Sequence, residues 1–125
     1  MRLLLDTHAL LWALADDPHL TAGVRDLIVD SDIEVFVSAA SAWEITIKQG
    51  LGKLRAPDDL PAQLLAARFE ALPITVEHAV AVLDLPDHHR DPFDRMLIAQ
   101  ARVEGLTIVT HDPQIGRYEV AVLKT

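Results

Sequence analysis

Arg2–His8 reads RLLLDTH, and the fold is decided in this stretch. Leu3, Leu4 and Leu5 form an unbroken apolar run. A run without polar alternation is the pattern of a strand covered on both faces, as in a parallel sheet between helices. The run stops at Asp6, and Ala9, Leu10, Trp12 and Ala13 then recur at helical spacing from about His8 to Ala15. In an open parallel sheet the carboxyl ends of the strands open into the ligand crevice, so Asp6 is expected at its edge. A local role competes, because an Asp before a helix accepts hydrogen bonds from first-turn N–H groups. The choice depends on whether other carboxylates reach the same place.

The alternation continues downstream. Thr21 opens a second helical pattern with Val24, Leu27 and Ile28, and Ile33 to Val37 is strand-like, rich in β-branched and aromatic residues. Ser38 or Ser41 caps a helix that carries Trp43, Ile45 and Ile47 and ends near Gly50 or Gly52. Asp58 or Asp59, with Pro61 near the first turn, starts another through Phe69. Ala71 to Ile74 reads as a short strand, and Thr75 caps a helix with Val76, Ala79, Val80 and Leu83 as its apolar positions. Pro86 to Arg90 is a polar loop. Asp91-Pro92 opens a helix that buries Phe93, Leu97, Ile98 and Ala101 and stops at Gly105. Leu106 to Val109 is a strand, and Val120 to Leu123 another, at an edge. Strands alternating with helices predict an α/β fold with a mostly parallel sheet. A length of 125 residues suits one domain over the whole chain.

Half the residues are hydrophobic, enough for a sizeable core, and there is no cysteine, which removes disulfides and thiolate metal sites. That fits a reducing cytoplasmic setting. No uncharged apolar run approaches the ~20 residues of a membrane span, and Asp6 interrupts the N-terminal run too early for a secretory signal. The net charge of −8 is not the basic footprint of a nucleic-acid binder. Either nucleic acid is not the partner or part of the charge is held in a metal site.

Three more acids occupy positions like that of Asp6. Glu44 follows the second strand, Asp94 lies in the first turn after Asp91-Pro92, and Asp112 follows the strand ending at Val109. Each has a local explanation: a capping box over Ser41–Glu44, a favoured first-turn acid at Asp94, a turn opening at Asp112-Pro113. Taken together they read differently. Carboxylates gathered at one sheet edge raise one another's pKa unless a cation is present. Mg²⁺ takes oxygen ligands, commonly one or two carboxylates plus waters. Such a site suits phosphodiester hydrolysis by a metal-activated water, with one or two ions.

On these residues the chain resembles PIN-domain nucleases of the VapC type, the toxins of toxin–antitoxin pairs. The matching pieces are LLLDTHALLW from Leu3, VSAASAWEITIK from Val37, GKL from Gly52, HRDPFDRMLIAQA from His89 and IVTHD from Ile108. They follow the family's order along the chain, and the piece containing DPFDR is the most specific. The family's four acidic positions fall on Asp6, Glu44, Asp94 and Asp112, and Asp91 matches a further acid, read as a cap or supporting residue. The resemblance implies a PIN-like three-layer fold, Mg²⁺ or Mn²⁺ as cofactor, endoribonuclease activity on an RNA substrate, a cognate VapB-like antitoxin, and a homodimer.

Neighbouring residues carry secondary expectations. Thr7 and Thr110 flank the acids and are placed to orient carboxylates or water, or to serve strand ends. Lys48, Arg90 and Arg95 are phosphate-contact candidates, along with Lys53. Lys48 and Arg95 read equally well as helix residues paired with the acids. His8, His89 and His111 lie near the acids, but no H-x-x-x-H spacing supports zinc. Trp12 and Trp43 read as core or subunit-contact residues rather than base-stacking platforms. Two other functions fit an acidic α/β domain: a phospho-receiver, and a silent binding module on the same fold. A receiver needs an adjacent acidic pair after the first strand and a Lys after a late one, whereas Thr7 follows Asp6 and Thr110-His111 follows the late strand. An aspartyl-phosphate phosphatase wants D-x-D where this chain has DTH.

Overall fold

The computed structural model describes residues 1–125. Its strands are β1 (Arg2–Leu5), β2 (Glu34–Ser38), β3 (Glu70–Leu72), β4 (Thr107–Thr110) and β5 (Val122–Lys124). They form one sheet in the order β3-β2-β1-β4-β5, and every neighbouring pair is parallel. The helices are α1 (Thr7–Ala15), α2 (Ala22–Val29), α3 (Ala39–Gly50), α4 (Leu60–Ala66), α5 (Val76–Ala81) and α6 (Pro92–Glu104). The first strand is therefore the middle of the sheet, which is why its three leucines are all fully buried.

Successive residues of a strand face opposite sides. Leu4, Phe36 and Ile108 pack under Leu97, Ile98 and Ala101 of α6. Leu3, Leu5, Val35, Val37 and Val109 face Leu10 of α1, Val24 and Ile28 of α2, and Ile45 of α3. Two cores on either side of one sheet give three layers. Truncating any of the three leucines to alanine is expected to cost about 2–5 kcal/mol.

The local signals explain most boundaries. Ser38, not Ser41, caps α3, accepting from the Ala40 N–H at 2.9 Å. Gly105 ends α6 in the left-handed conformation at φ 68°. Helix α4 stops at Ala66 rather than reaching Phe69. Arg68 adopts φ 61°, and Phe69 N–H returns to the Leu64 carbonyl at 3.0 Å. That is a Schellman ending with Arg where glycine is usual, so the sequence carries no stop signal. The freed residues let β3 start at Glu70 and finish at Leu72, ahead of the expected Ala71–Ile74. The last strand pairs Val122 with Ile108, two residues later than expected at its start.

One expected core face is reversed. Val76, Val80 and Leu83 are 81%, 63% and 86% exposed, and the buried residue of α5 is His78. Thr75 accepts from His78 N–H while His78 Nδ1 accepts from Thr75 N–H, a capping box that turns the imidazole inward. No helix is long and apolar enough to cross a membrane.

Candidate active site

The topology fixes where the site lies. The ends of β1, β2 and β4, the three central strands, deliver Asp6, Ser38 and Thr110 to one edge. Asp6 is 5% exposed and fills both roles considered for it. Its Oδ1 caps α1 through Ala9 N–H at 2.8 Å, and its Oδ2 accepts from the Thr110 hydroxyl at 2.5 Å. Thr110 Oγ1 in turn accepts from Asp112 N–H at 3.0 Å, so one hydroxyl ties the first and last acids together. Asp112 Oδ1 accepts from Gln114 N–H. Burial pushes the Asp6 carboxyl above its ordinary pKa, against the hydrogen bonds from Thr110 and Ala9.

Asp94 sits in the first turn of α6, which Asp91 caps by accepting from the Phe93 and Asp94 N–H groups at 2.9 and 3.1 Å. The Asp94 carboxyl is pushed up to about 7, first by burial and then by the negative charge of Asp91, with further contributions from Asp6 and Asp112. A hydrogen bond from His89 opposes the rise. The acids from β1, the β4 turn and α6 therefore share one electrostatic field.

Glu44 comes from α3 and lies beside Thr7 and Lys48. It is buried, its Oε1 accepts from the Thr7 hydroxyl at 2.5 Å, and its Oε2 binds Lys48 Nζ at 2.7 Å. The capping box expected over Ser41–Glu44 does not form; the one proton of the Thr7 hydroxyl goes to Glu44, so Ser41 Oγ, 3.1 Å away, donates to Thr7 Oγ1. Its bond with Glu44 raises the Lys48 pKa, and Asp91 and Asp94 add to the rise. Lys48 is thus the helix-borne partner of the acids rather than a free phosphate contact.

Arg95 also departs from the expected phosphate role. It donates to the Pro86 carbonyl at 2.8 Å, to the Tyr118 hydroxyl at 3.1 Å, and to Leu85 and His89 carbonyls at 3.5 Å. Its guanidinium pins the loop before α6 by donating to these carbonyls. Arg90 is exposed.

Tyr118 is the supporting residue that sequence reading missed. Its oxygen accepts from His89 N–H and from Arg95, so its own proton goes to His89 Nδ1 at 2.7 Å. His89 Nε2 then carries a proton toward Asp94 Oδ2 at 3.3 Å. Nothing local marks Tyr118, which lies in an irregular stretch before β5; only its aromatic character hinted at burial.

A cavity of about 290 Å³ opens beside the acids, lined by Asp6, His8, Trp12, His111, Asp112 and Pro113. A larger one, about 530 Å³, lies at the opposite sheet edge by Glu34 and Glu70 and touches none of the four acids.

A family model described as the PIN domain matches residues 3–121. The chain belongs to the PIN-domain family. Among solved structures, this PIN domain is similar to VapBC2 from Rickettsia felis bound to a DNA fragment from their promoter, at 16% identity and a TM-score of 0.74 over 99% of this chain and 98% of that one. It is similar to DNA-bound VapBC from Salmonella typhimurium at 18% identity and TM-score 0.71, covering 99% and 98%. It is also similar to FitAcB from Neisseria gonorrhoeae at 22% identity and TM-score 0.66, covering 97% and 96%. At such identities the likeness is one of fold. No curated protein matches the sequence.

The donor set suits a hard divalent cation: carboxylate oxygens from Asp6, Asp94 and Asp112, with a mutual repulsion that such a charge would relieve. No group of three or more His, Asp or Glu side chains is already arranged as a cage. Mg²⁺ does not require one, since it keeps several waters and uses one or two carboxylates. The three histidines do not join the acids in a zinc-type set, and His111 Nδ1 is occupied by the Thr125 main-chain oxygen at 2.7 Å.

Proposed function

We propose that this PIN domain is a Mg²⁺- or Mn²⁺-dependent endoribonuclease, the toxin of a VapC-type toxin–antitoxin pair. The observation that carries the reading is the Asp94 carboxyl, held near 7 by burial and by neighbouring acids at the end of the sheet. A fold gathers such charges where something positive is to be bound.

Asp6, Glu44, Asp94 and Asp112 would hold the ion or ions. When bound, a divalent cation neutralises phosphodiester charge and acidifies water. The chain's own residues set the stage for that. Thr110 fixes Asp6 and the turn that carries Asp112. His89, oriented by Tyr118, fixes Asp94. Asp91 shapes the start of α6 and keeps its Oδ2 free of protein bonds, which leaves it a supporting role toward water. Glu44 has both oxygens in hydrogen bonds, as Asp6 has, and each oxygen keeps a lone pair for an ion. It also holds Thr7 and the Lys48 ammonium beside the acids. Arg90 and Lys53, both exposed, are the side chains left to meet the RNA backbone.

The partners follow from the same reading. VapBC and FitAcB structures share this fold, and an antitoxin bearing an Arg would pair with the carboxylates bidentately and displace the metal. Trp43, Ile47 and Leu51 lie exposed along one side of α3 and form the surface on which a homodimer is proposed.

The test is cleavage of single-stranded or looped RNA by purified, antitoxin-free protein. Cutting is expected only with Mg²⁺ or Mn²⁺. Asp94→Asn keeps the side-chain size and should lower the rate by orders of magnitude with the fold intact by circular dichroism. Full activity in excess EDTA, or an unaffected Asp94→Asn, defeats the proposal.

A further inference from the structure

We infer that the cavity bounded by Trp12, His8 and His111 is a nucleobase subsite, which seats one unpaired base of the RNA beside the scissile phosphate. The inference rests on the endoribonuclease reading and adds to it where the strand lies. The cavity shares two walls, Asp6 and Asp112, with the acidic edge. Anything filling it is therefore next to the carboxylates.

The other walls have the chemistry of a base platform. Trp12 is half-buried on α1, and its indole is stacked on His19, with centroids 5.1 Å apart and planes 18° from parallel. His19 takes no part in the cavity wall, and its stack braces the indole. His8 lies 6.0 Å from the indole, tilted by 38°, and His111 meets it edge-on at 5.9 Å. A ring held by three imidazoles is stiff, and a stiff aromatic surface loses little entropy when a base stacks on it.

His111 adds a polar edge. The Thr125 main-chain oxygen only accepts, so His111 Nδ1 donates to it and Nε2 is the ring nitrogen left for a ligand. That nitrogen can hydrogen-bond a polar group on a base edge. A volume of about 290 Å³ admits one base and not a duplex. Sequence-tolerant stacking of unpaired bases on aromatic side chains is the usual way single strands are held. A net charge of −8 makes such contacts more necessary, since backbone attraction over the whole surface is absent.

The experiment uses the Trp43→Phe, Asp94→Asn protein, whose only indole is Trp12 and whose cleft carries one negative charge fewer. The probes are fluorescein-labelled 2′-O-methyl RNA hexamers, intact or with a single abasic unit moved along the chain. Binding is read by anisotropy and Trp12 by its emission. The intact hexamer should quench Trp12 with the same midpoint as the anisotropy change. One abasic position should abolish the quench and weaken binding roughly 5- to 100-fold, the range of one stacked base. Trp12→Leu should weaken the intact hexamer and leave that abasic hexamer unchanged. The abasic series does not depend on the fold of Trp12→Leu. Anisotropy binding without quenching, or equal weakening of both hexamers by Trp12→Leu, overturns the subsite alone. No hexamer binding together with no RNA cleavage by the parent protein overturns the nuclease reading as well.

Discussion

Asp94 illustrates how one carboxyl can serve a helix and a site at once. In the first turn of α6 its negative charge favours the helix by about 0.3–1 kcal/mol. Against that, burial and the neighbouring acids hold its pKa at about 7, above the ordinary 3.8. The native state then binds a proton that the unfolded chain has released, so stability of the metal-free protein falls as pH rises from about 4 through 7. Asp94→Asn removes this dependence. In EDTA its melting temperature should match or trail wild type near pH 5 and exceed it near pH 8. A constant difference between the two proteins at both pH values would show that the acids do not share a field. Metal binding needs the ionised carboxylate, so Mn²⁺ affinity, measured by calorimetry, should decline as pH drops below 7. The Glu44–Lys48 pair makes a separate claim. Urea denaturation of Glu44→Gln, Lys48→Met and the double variant should give a coupling of roughly 0.5–3 kcal/mol, as expected for side chains in contact. Simple additivity would mean the 2.7 Å bond contributes nothing in solution.

At the scale of elements, α3 and α5 each leave an apolar row uncovered. Trp43 and Ile47 on α3 and Leu51 at its C-cap repeat at four-residue spacing, and Trp43 leans edge-on against Phe93 of α6 at 5.5 Å. Light scattering at micromolar concentration is expected to show a dimer, and Trp43→Glu a monomer of unchanged circular dichroism. A monomeric wild type would refute the proposed interface. These rows also show why some elements were legible in the sequence and others were not. The RLLL run of β1, the Asp91-Pro92 start and the Gly105 stop of α6 are local chemistry, and each stands where the sequence placed it. The period of α5 was equally clear, but a period says that a helix has an apolar face and not which way that face points. His78 took the inside because its ring closes the cap. The end of α4 was invisible because Arg68 does what glycine ordinarily does. At the site, the acids could be picked out from strand-to-helix order. The engagement of Glu44 by Thr7 and the part of Tyr118 depend on residues brought together across the fold, 37 and 29 positions apart in their bonds to Glu44 and His89.

For the molecule as a whole, a net charge of −8 with acids clustered at one sheet edge predicts that divalent cations stabilise the native state. An ion at ~100 times its dissociation constant adds about 2.7 kcal/mol to the native state. For a domain of this size that is a melting shift on the order of 10 °C. Wild type should show it with Mn²⁺ and Asp94→Asn should show little; equal shifts in both would remove Asp94 from the ligand set. The position of β1 in the middle of the sheet has one more consequence, in time rather than space. Asp6 N–H bonds the Val109 carbonyl, and its Oδ2 waits for a hydroxyl 104 residues away. Contacts so distant along the chain form late, and synthesis runs from the N-terminus. A chain emerging from the ribosome carries Asp6 early but cannot complete the cleft until β4 has been made and inserted beside β1. The acidic edge is therefore assembled among the last events of folding, and a chain halted before Leu106 lacks it.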